Sequence, residues 1–381
     1  MATGNIVRVI NTLEFDTDGC ASLDIIHIAG NVYLIAYRGG VGPDGILKTV
    51  TIESDGSIGS VIATRTFEAT WGYMPSLAHI SGDVYIVGYR GPGNDGWLKT
   101  FTVDSSGNIG AVFNSKEIDP VYGRNFRFYH LGGTVWLVVY QDASVGWLKT
   151  ININSNGTFG ADIGSQRYDF ILGAFPALIH IAGDIFAIAY TGEDEDGWLK
   201  TWEIQSDGTI AAARTDEFEF STTYGHWPQI LHISGDVYAI AYQGPPSGVD
   251  GWGYIKTLTI SSAGVIGGPV RIFQYTPQRA RGVSAIIHIA EEVYTLVYTG
   301  PLDDGYIVTV TIHNDGQIDD PLVGKLEFDP DNAVTCEMVK IAVGIYAIAY
   351  SGVDDDGFLR TIEIVEFATP TVTTDPATEV T

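Results

Sequence analysis

Ser76-Leu77-Ala78-His79-Ile80-Ser81-Gly82-Asp83-Val84-Tyr85-Ile86-Val87-Gly88-Tyr89 is the stretch that decides the fold. Two runs rich in β-branched and aromatic residues flank a tight turn at Ser81-Gly82, which is the signature of a β-hairpin. After the loop Arg90-Gly91-Pro92-Gly93-Asn94, the run Asp95-Gly96-Trp97-Leu98-Lys99-Thr100-Phe101-Thr102-Val103 reads as a third strand. Ser105-Ser106-Gly107-Asn108 then turns the chain into a fourth strand, Ile109 to Ile118. Four antiparallel strands in one short repeat make a propeller blade.

The pattern returns along the chain. Counting from His27, His79, His130, His180, His232, His288 and Lys340, position +10 is Tyr37, Tyr89, Tyr140, Tyr190, Tyr242, Tyr298 and Tyr350. Successive repeats begin 52, 51, 50, 52, 56 and 52 residues apart (79−27, 130−79, 180−130, 232−180, 288−232, 340−288). A strand-only unit of this length cannot bury both its faces alone, so the copies must stack. The spacing predicts an all-β, seven-bladed β-propeller over residues 1–366. The seventh repeat stops after its third strand, Gly357 to Ile364, whereas Gly4 to Phe15 reads like Gly56 to Phe67. The N-terminal strand is therefore expected to complete the last blade and remove the open edges.

Side chains alternate across a strand, so positions +6, +8 and +10 share one face and +7 and +9 the other. Position +6 is aromatic in every copy: Tyr33, Tyr85, Trp136, Phe186, Tyr238, Tyr294 and Tyr346. Position +9 is small: Ala36, Gly88, Val139, Ala189, Ala241, Val297 and Ala349. Bulk facing smallness is what stacked blades need to pack without voids. The third strand repeats the arrangement as Leu98/Thr100, Leu47/Thr49, Leu148/Thr150, Leu199/Thr201, Ile255/Thr257, Ile307/Thr309 and Leu359/Thr361.

On these residues the chain resembles the seven-bladed propellers, including surface adhesin and lectin-like propellers. It lacks the Trp-Asp signature of WD40 blades. The turns Ser54-Asp55-Gly56-Ser57 and Ser206-Asp207-Gly208-Thr209 are similar to the Asp-box turns of sialidase propellers, without their full pattern. The resemblance implies the architecture and fixes no function.

Composition narrows the partners. Forty-six acidic residues against 20 basic ones give a net charge of −26, which repels phosphate backbones and anionic membranes, so nucleic acid is not an expected partner. No apolar run approaches the roughly 20 residues of a membrane span, and the start Met1-Ala2-Thr3-Gly4 lacks the basic and apolar regions of a secretory signal. Residues 367–381 have the Thr/Pro-rich composition of a stalk, expected to lead to a further domain of a longer extracellular or cell-surface protein. Two cysteines, Cys20 and Cys336, rule out a disulfide framework. They fall in the first and seventh repeats, so a disulfide across the seam and a pair of buried free thiols are both open.

Four features invite chemistry. The His column spreads imidazoles around a ring instead of converging them on one point, so a satisfied hairpin-end His is favoured over zinc. The third-strand bases Lys48, Lys99, Lys149, Lys200, Lys256 and Arg360, broken by Val308, follow acids at Asp44, Asp95, Asp196, Asp250, Asp304 and Asp356. Acid, aromatic and base on one face suit either a sugar or an inter-blade ion pair, and repetition favours the pair. Acid runs in the second loop make Asp194, Asp196, Asp354 and Asp356 weak calcium candidates against a solvated rim, calcium being the one cofactor entertained.

The fourth feature is the variable loop leading into each blade. These lead-in loops carry Trp71, Tyr73, Tyr122, Arg124, Tyr224, His226, Trp227, Arg279 and Arg281. Variation within a repeat marks positions the scaffold does not dictate, and large aromatics with Arg and His suit ligand contact. The opposing reading is that Trp71, Tyr122 and Tyr224 plug the channel mouth. The expected function is a non-enzymatic module binding a glycan or protein partner through this face, as a monomeric ring. A purely structural docking propeller is the alternative, and a glycosidase or lyase is the third reading.

Overall fold

The computed structural model describes residues 2–367 apart from 41, 247–250 and 284. Residues 368–381 of the expected stalk, and Asp250 of the acid column, thus lie outside the described residues. The described strands form seven separate four-stranded antiparallel sheets. Their innermost strands are Cys20–Ala29, Tyr73–Ser81, Arg124–Gly132, Ala174–Ala182, His226–Ser234, Ile286–Ala290 and Val334–Ala342, which number blades 1 to 7. It is a seven-bladed β-propeller.

The N-terminal strand Ile6–Asp16 is the outermost strand of blade 7, antiparallel to Gly357–Ile364. The ring is therefore closed by pairing the two ends of the chain. One strand differs from its sequence reading: in blade 2 the regular fourth strand covers only Asn114–Asp119. Ile109 is held by a single bridge to Val103. Between them the amides of Gly110 and Phe113 bond back to Thr102 and Thr100 without a continuous register.

Core packing lies between blades, as the large and small columns require. Tyr33, Ile35 and Tyr37 of blade 1 pack against Ala347, Ala349 and Leu359 of blade 7. Tyr238, Ile240 and Tyr242 of blade 5 do the same against Ala187, Ala189 and Leu199 of blade 4. Burying one such side chain is worth about 1.5–3 kcal/mol, so each interface is a substantial hydrophobic core.

The repeated polar columns are inter-blade fastenings. Lys48 Nζ reaches Asp16 Oδ2 at 2.6 Å, Lys99 reaches Glu68 at 2.9 Å, Lys200 reaches Asp169 at 3.3 Å and Arg360 reaches Asp329 at 3.1 Å. Each acid ends the outermost strand of the preceding blade, so the partner is not the acid column before the third strand. That corrects the expected pairing: alternation put acid and base on one face, but the blade-to-blade approach brings a different carboxylate closer. The +10 tyrosines join the same acids, with Tyr89 donating to Glu68 at 2.9 Å and Tyr190 to Asp169 at 2.8 Å. In blade 6, Val308 replaces the base and Thr276 stands in the acid's place.

The His column closes hairpins. His79 Nε2 lies 2.7 Å from the carbonyl of Gly82, and its ring sits 4.8 Å from Tyr85 at position +6. The same pair of contacts recurs at His27, His130, His180, His232 and His288. Cys20 and Cys336 are buried free thiols.

Candidate functional site

In six of the seven blades the innermost strand enters the ring through a bulge. In blade 1, Ala21 pairs with Arg38 and Asp24 with Ala36, so three residues advance against two. The same shift occurs in blades 2, 3, 4, 5 and 7. The extra residue sits in left-handed conformation: Ser22, Met74, Asn125, Phe175, Trp227 and Thr335 have φ between 46° and 57°. For non-glycine residues this costs roughly 1–2 kcal/mol each. A bulge re-aims side chains, and here it presents them at the mouth of the axial channel.

Behind the bulges lies a cavity of about 620 Å³, lined by all six of these residues and by Asp24, Ser76, Arg127, Gln229 and Glu337. Those five occupy one repeat position, three residues before the His or Lys that marks each blade, and the remaining blades carry Ala177 and Ala285 there. The position is constant and its chemistry is not. Glu337, Asp24, Ser76 and Arg127 belong to blades 7, 1, 2 and 3, a continuous arc of the wall. Phe175 and Trp227, with ring centroids 5.3 Å apart, face it from blades 4 and 5.

The arc is electrostatically unfinished. Asp24 Oδ2 accepts a 2.7 Å bond from the Leu77 amide, which ties blade 1 to blade 2. Arg127 Nη1 donates to the carbonyl of Phe126 at 2.9 Å and forms no ion pair among the described residues. The side chains of Glu337 and Gln229 form no hydrogen bond among the described residues, their backbones being paired with Ala349 and Ala241. Burial lifts the Asp24 carboxyl above its ordinary range, against the lowering effects of the Leu77 bond and Arg127. Glu337 is lifted well above it, first by burial and then by repulsion from Asp24, with Arg127 opposing.

The lead-in residues divide. Trp227 and Arg281 line the cavity, with the Arg281 guanidinium 5.6 Å from the Trp227 ring. Tyr73, Tyr122 and Arg124 build a ladder across blades 1 to 3. Arg38 and Arg90 lie 4.8 and 4.7 Å from the Tyr73 ring, Arg90 donates to Tyr122 Oη at 2.8 Å, and Arg124 lies 5.4 Å from Tyr122. Trp71 leans on Tyr73 at 4.8 Å. Tyr224 is buried and stacked 4.3 Å from His226. Burial drops the His226 pKa to about 4, so the ring is neutral at pH 7. Arg279 is paired with Asp303 at 2.7 Å. Trp71, Tyr122 and Tyr224 are not among the residues that line the cavity.

Among the described residues no group of three or more His, Cys, Asp or Glu side chains is arranged to hold a metal ion, and this covers Asp194, Asp196, Asp354 and Asp356. No helix of the described residues is long and apolar enough to cross a membrane.

No protein-family model matches this sequence, and no curated protein is similar to it by sequence. Solved structures share its shape. The periplasmic gluconolactonase PpgL of Pseudomonas aeruginosa superposes with a TM-score of 0.58 at 13% identity, over 78% of this chain and 83% of that one. BBS1N in complex with ARL6DN gives a TM-score of 0.56 at 9% identity, over 95% and 98%. Sqt1 from Chaetomium thermophilum gives 0.53 at 11%, over 91% and 83%. At these identities the likeness shows the fold alone, and the neighbours already span an enzyme and a protein-bound propeller.

Proposed function

We propose that this chain is a non-enzymatic binding module whose ligand enters the axial channel from the lead-in-loop face. The ligand is a polar small molecule or the end of a glycan or protein presented by a surface partner. The observation that carries the reading is the asymmetric wall. Six strained bulge residues and five polar or charged ones surround a cavity of a size ordinary for ligand pockets, with Glu337, Gln229 and Arg127 left for something else to satisfy. A structural scaffold needs no such asymmetry, because packing is served by repetition. The Thr/Pro-rich composition after residue 366 supports an extracellular or cell-surface setting.

The test is a glycan and small-molecule array on the full chain with Trp227→Ala and Trp71→Ala variants. Loss of capture with Trp227→Ala, and its retention with Trp71→Ala, supports the channel. Equal retention in both removes it and favours the docking scaffold. A second reading rests on the raised Glu337 carboxyl beside Asp24, which suits a proton donor in a sugar-cleaving reaction. Turnover of a glycoside that disappears in Glu337→Gln would establish it.

A further inference from the structure

The binding reading leaves the chemistry of the ligand open, and the layout of the channel wall narrows it. Two carboxyls, Glu337 and Asp24, stand on neighbouring blades. Arg127 stands two blades from Asp24, with Ser76 between them. The guanidinium is near enough for its charge to act on both acids, yet it forms no ion pair among the described residues. Folded proteins rarely leave acids and a base facing one cavity without a direct counter-charge, because the backbone bonds of Asp24 and Arg127 repay only part of the lost hydration. The Glu337 side chain, partly buried like Asp24, forms no hydrogen bond among the described residues.

Complementarity then fixes three features of a ligand. It needs a cationic donor for the acid pair and an anionic acceptor a short distance away for Arg127, which favours planar carboxylates. It also needs an apolar portion directed to the opposite wall, where the Phe175 and Trp227 rings stand 5.3 Å apart and the Arg281 guanidinium lies 5.6 Å from the Trp227 ring. A neutral sugar would satisfy hydroxyl-binding groups but would leave the opposite charges unneutralised. A simple cation would leave Arg127 without a partner.

We infer that the axial cavity binds a zwitterionic α-amino acid with an apolar side chain, its ammonium held between Asp24 and Glu337, its carboxylate on Arg127 and its side chain against Phe175 and Trp227. The inference rests on the channel being a binding site. Ser76 and Gln229 supply hydrogen bonds to whatever donors and acceptors the head group leaves over. The cavity of about 620 Å³ holds such a molecule together with water.

The experiment is isothermal titration calorimetry of the full chain at pH 7 with L-leucine, L-phenylalanine, N-acetyl-L-leucine and L-leucinamide, with glucose as the neutral sugar. Leucine and phenylalanine are expected to bind. Removing the ammonium by acetylation, or the carboxylate by amidation, should weaken binding by about tenfold or more, as loss of a charge-assisted bond does. Arg127→Met should abolish the advantage of leucine over leucinamide, and Asp24→Asn its advantage over N-acetyl-leucine. Arg127→Lys and Glu337→Gln provide second variants should either fail to fold, with far-UV circular dichroism as the check. Equal affinities across the leucine series overturn the assignment. Glucose or an arrayed glycan binding with Trp227→Ala sensitivity while no amino acid binds also overturns it, and leaves the channel a binding site. If no tested molecule shows Trp227-dependent binding, both readings fall.

Discussion

Thr309 Oγ1 donates a 2.7 Å hydrogen bond to the carbonyl of Gly4, across 305 residues of sequence. Thr361 makes the matching bond to Gly56 at 2.6 Å, and Thr49, Thr100, Thr150, Thr201 and Thr257 bond to Gly107, Gly157, Gly208, Gly264 and Gly316. Each third-strand threonine thus reaches the turn of the next blade, and the circle is complete only because Gly4 stands where blade 7 lacks a turn of its own. Gly4 has φ of +84°, and a Cβ there would meet Val293 Cγ1 at 2.6 Å. Removing residues 2–16 should therefore broaden the urea transition relative to the parent and expose the edge of Gly357–Ile364 to association. Thr309→Val, which strands a buried carbonyl, should cost about 1–2 kcal/mol in the same measurement.

The base column makes a paired prediction. Lys99 joins Glu68, which also accepts from Tyr89, so Lys99→Met leaves a partly buried carboxylate without its cation. A loss of about 1–3 kcal/mol by urea denaturation is expected. Lys256 faces Ser221 where other blades present an acid, donates to the carbonyl of Phe220, and has its pKa lowered by burial. Lys256→Met should cost distinctly less than Lys99→Met, since it relieves a buried charge that has no counter-ion among the described residues. Equal losses would show that the lysine stems, and not the ion pairs, hold the blades.

Acid pH should unfasten the ring. Burial alone would raise Asp16, Glu68 and Asp169, but for Asp16 and Glu68 the lysine bonds, and for Asp169 its amide, Tyr190 and Lys200 interactions, outweigh it and hold all three below the ordinary carboxylate range. A depressed folded-state pKa contributes stability above the unfolded value of about 4, and that contribution is lost as pH falls through the folded value. Thermal melts should accordingly show the midpoint falling below about pH 4. Lys99→Met should flatten that acid limb.

The repeat made the architecture readable before any coordinates, because packing positions must be copied in every blade: the +6 rings, the +9 small residues and the Leu/Thr pairs all lie where alternation put them. The ring closure was legible for the same reason, since Gly4 to Phe15 has the text of a fourth strand. The channel wall was not. Its residues sit inside a strand otherwise given over to packing, and Asp24, Ser76, Arg127, Ala177, Gln229, Ala285 and Glu337 share no chemistry that a search for recurring motifs would find. The available signal was the reverse one, a position three before the marker whose identity fails to repeat. The lead-in loops stand out because their residue types vary from blade to blade, yet much of their aromatic content is spent on the Arg/Tyr ladder and on stacking Tyr224 beneath His226. The bulge that turns Trp227 inward is a backbone event, and alternation carried through the strand start would miss it.

Glu337 offers the last test, one that is independent of any ligand. Burial and the neighbouring Asp24 disfavour the charged form of its carboxyl and hold it well above the ordinary glutamate range, against the pull of Arg127. For an acid with a raised folded-state pKa, the folded protein binds more protons than the unfolded chain once the unfolded group has ionised, so stability declines as pH rises from about 4.5 until the folded carboxyl itself ionises. Glu337→Gln keeps the shape and removes the titration. Its melting temperature should exceed that of the parent at pH 7 to 8 by of the order of 1–2 °C, a small shift because the chain is long. The difference should shrink to nothing near pH 4. A parent and variant whose melting curves run parallel across that interval would place the Glu337 carboxyl in ordinary solvent and remove the electrostatic tension in the channel wall.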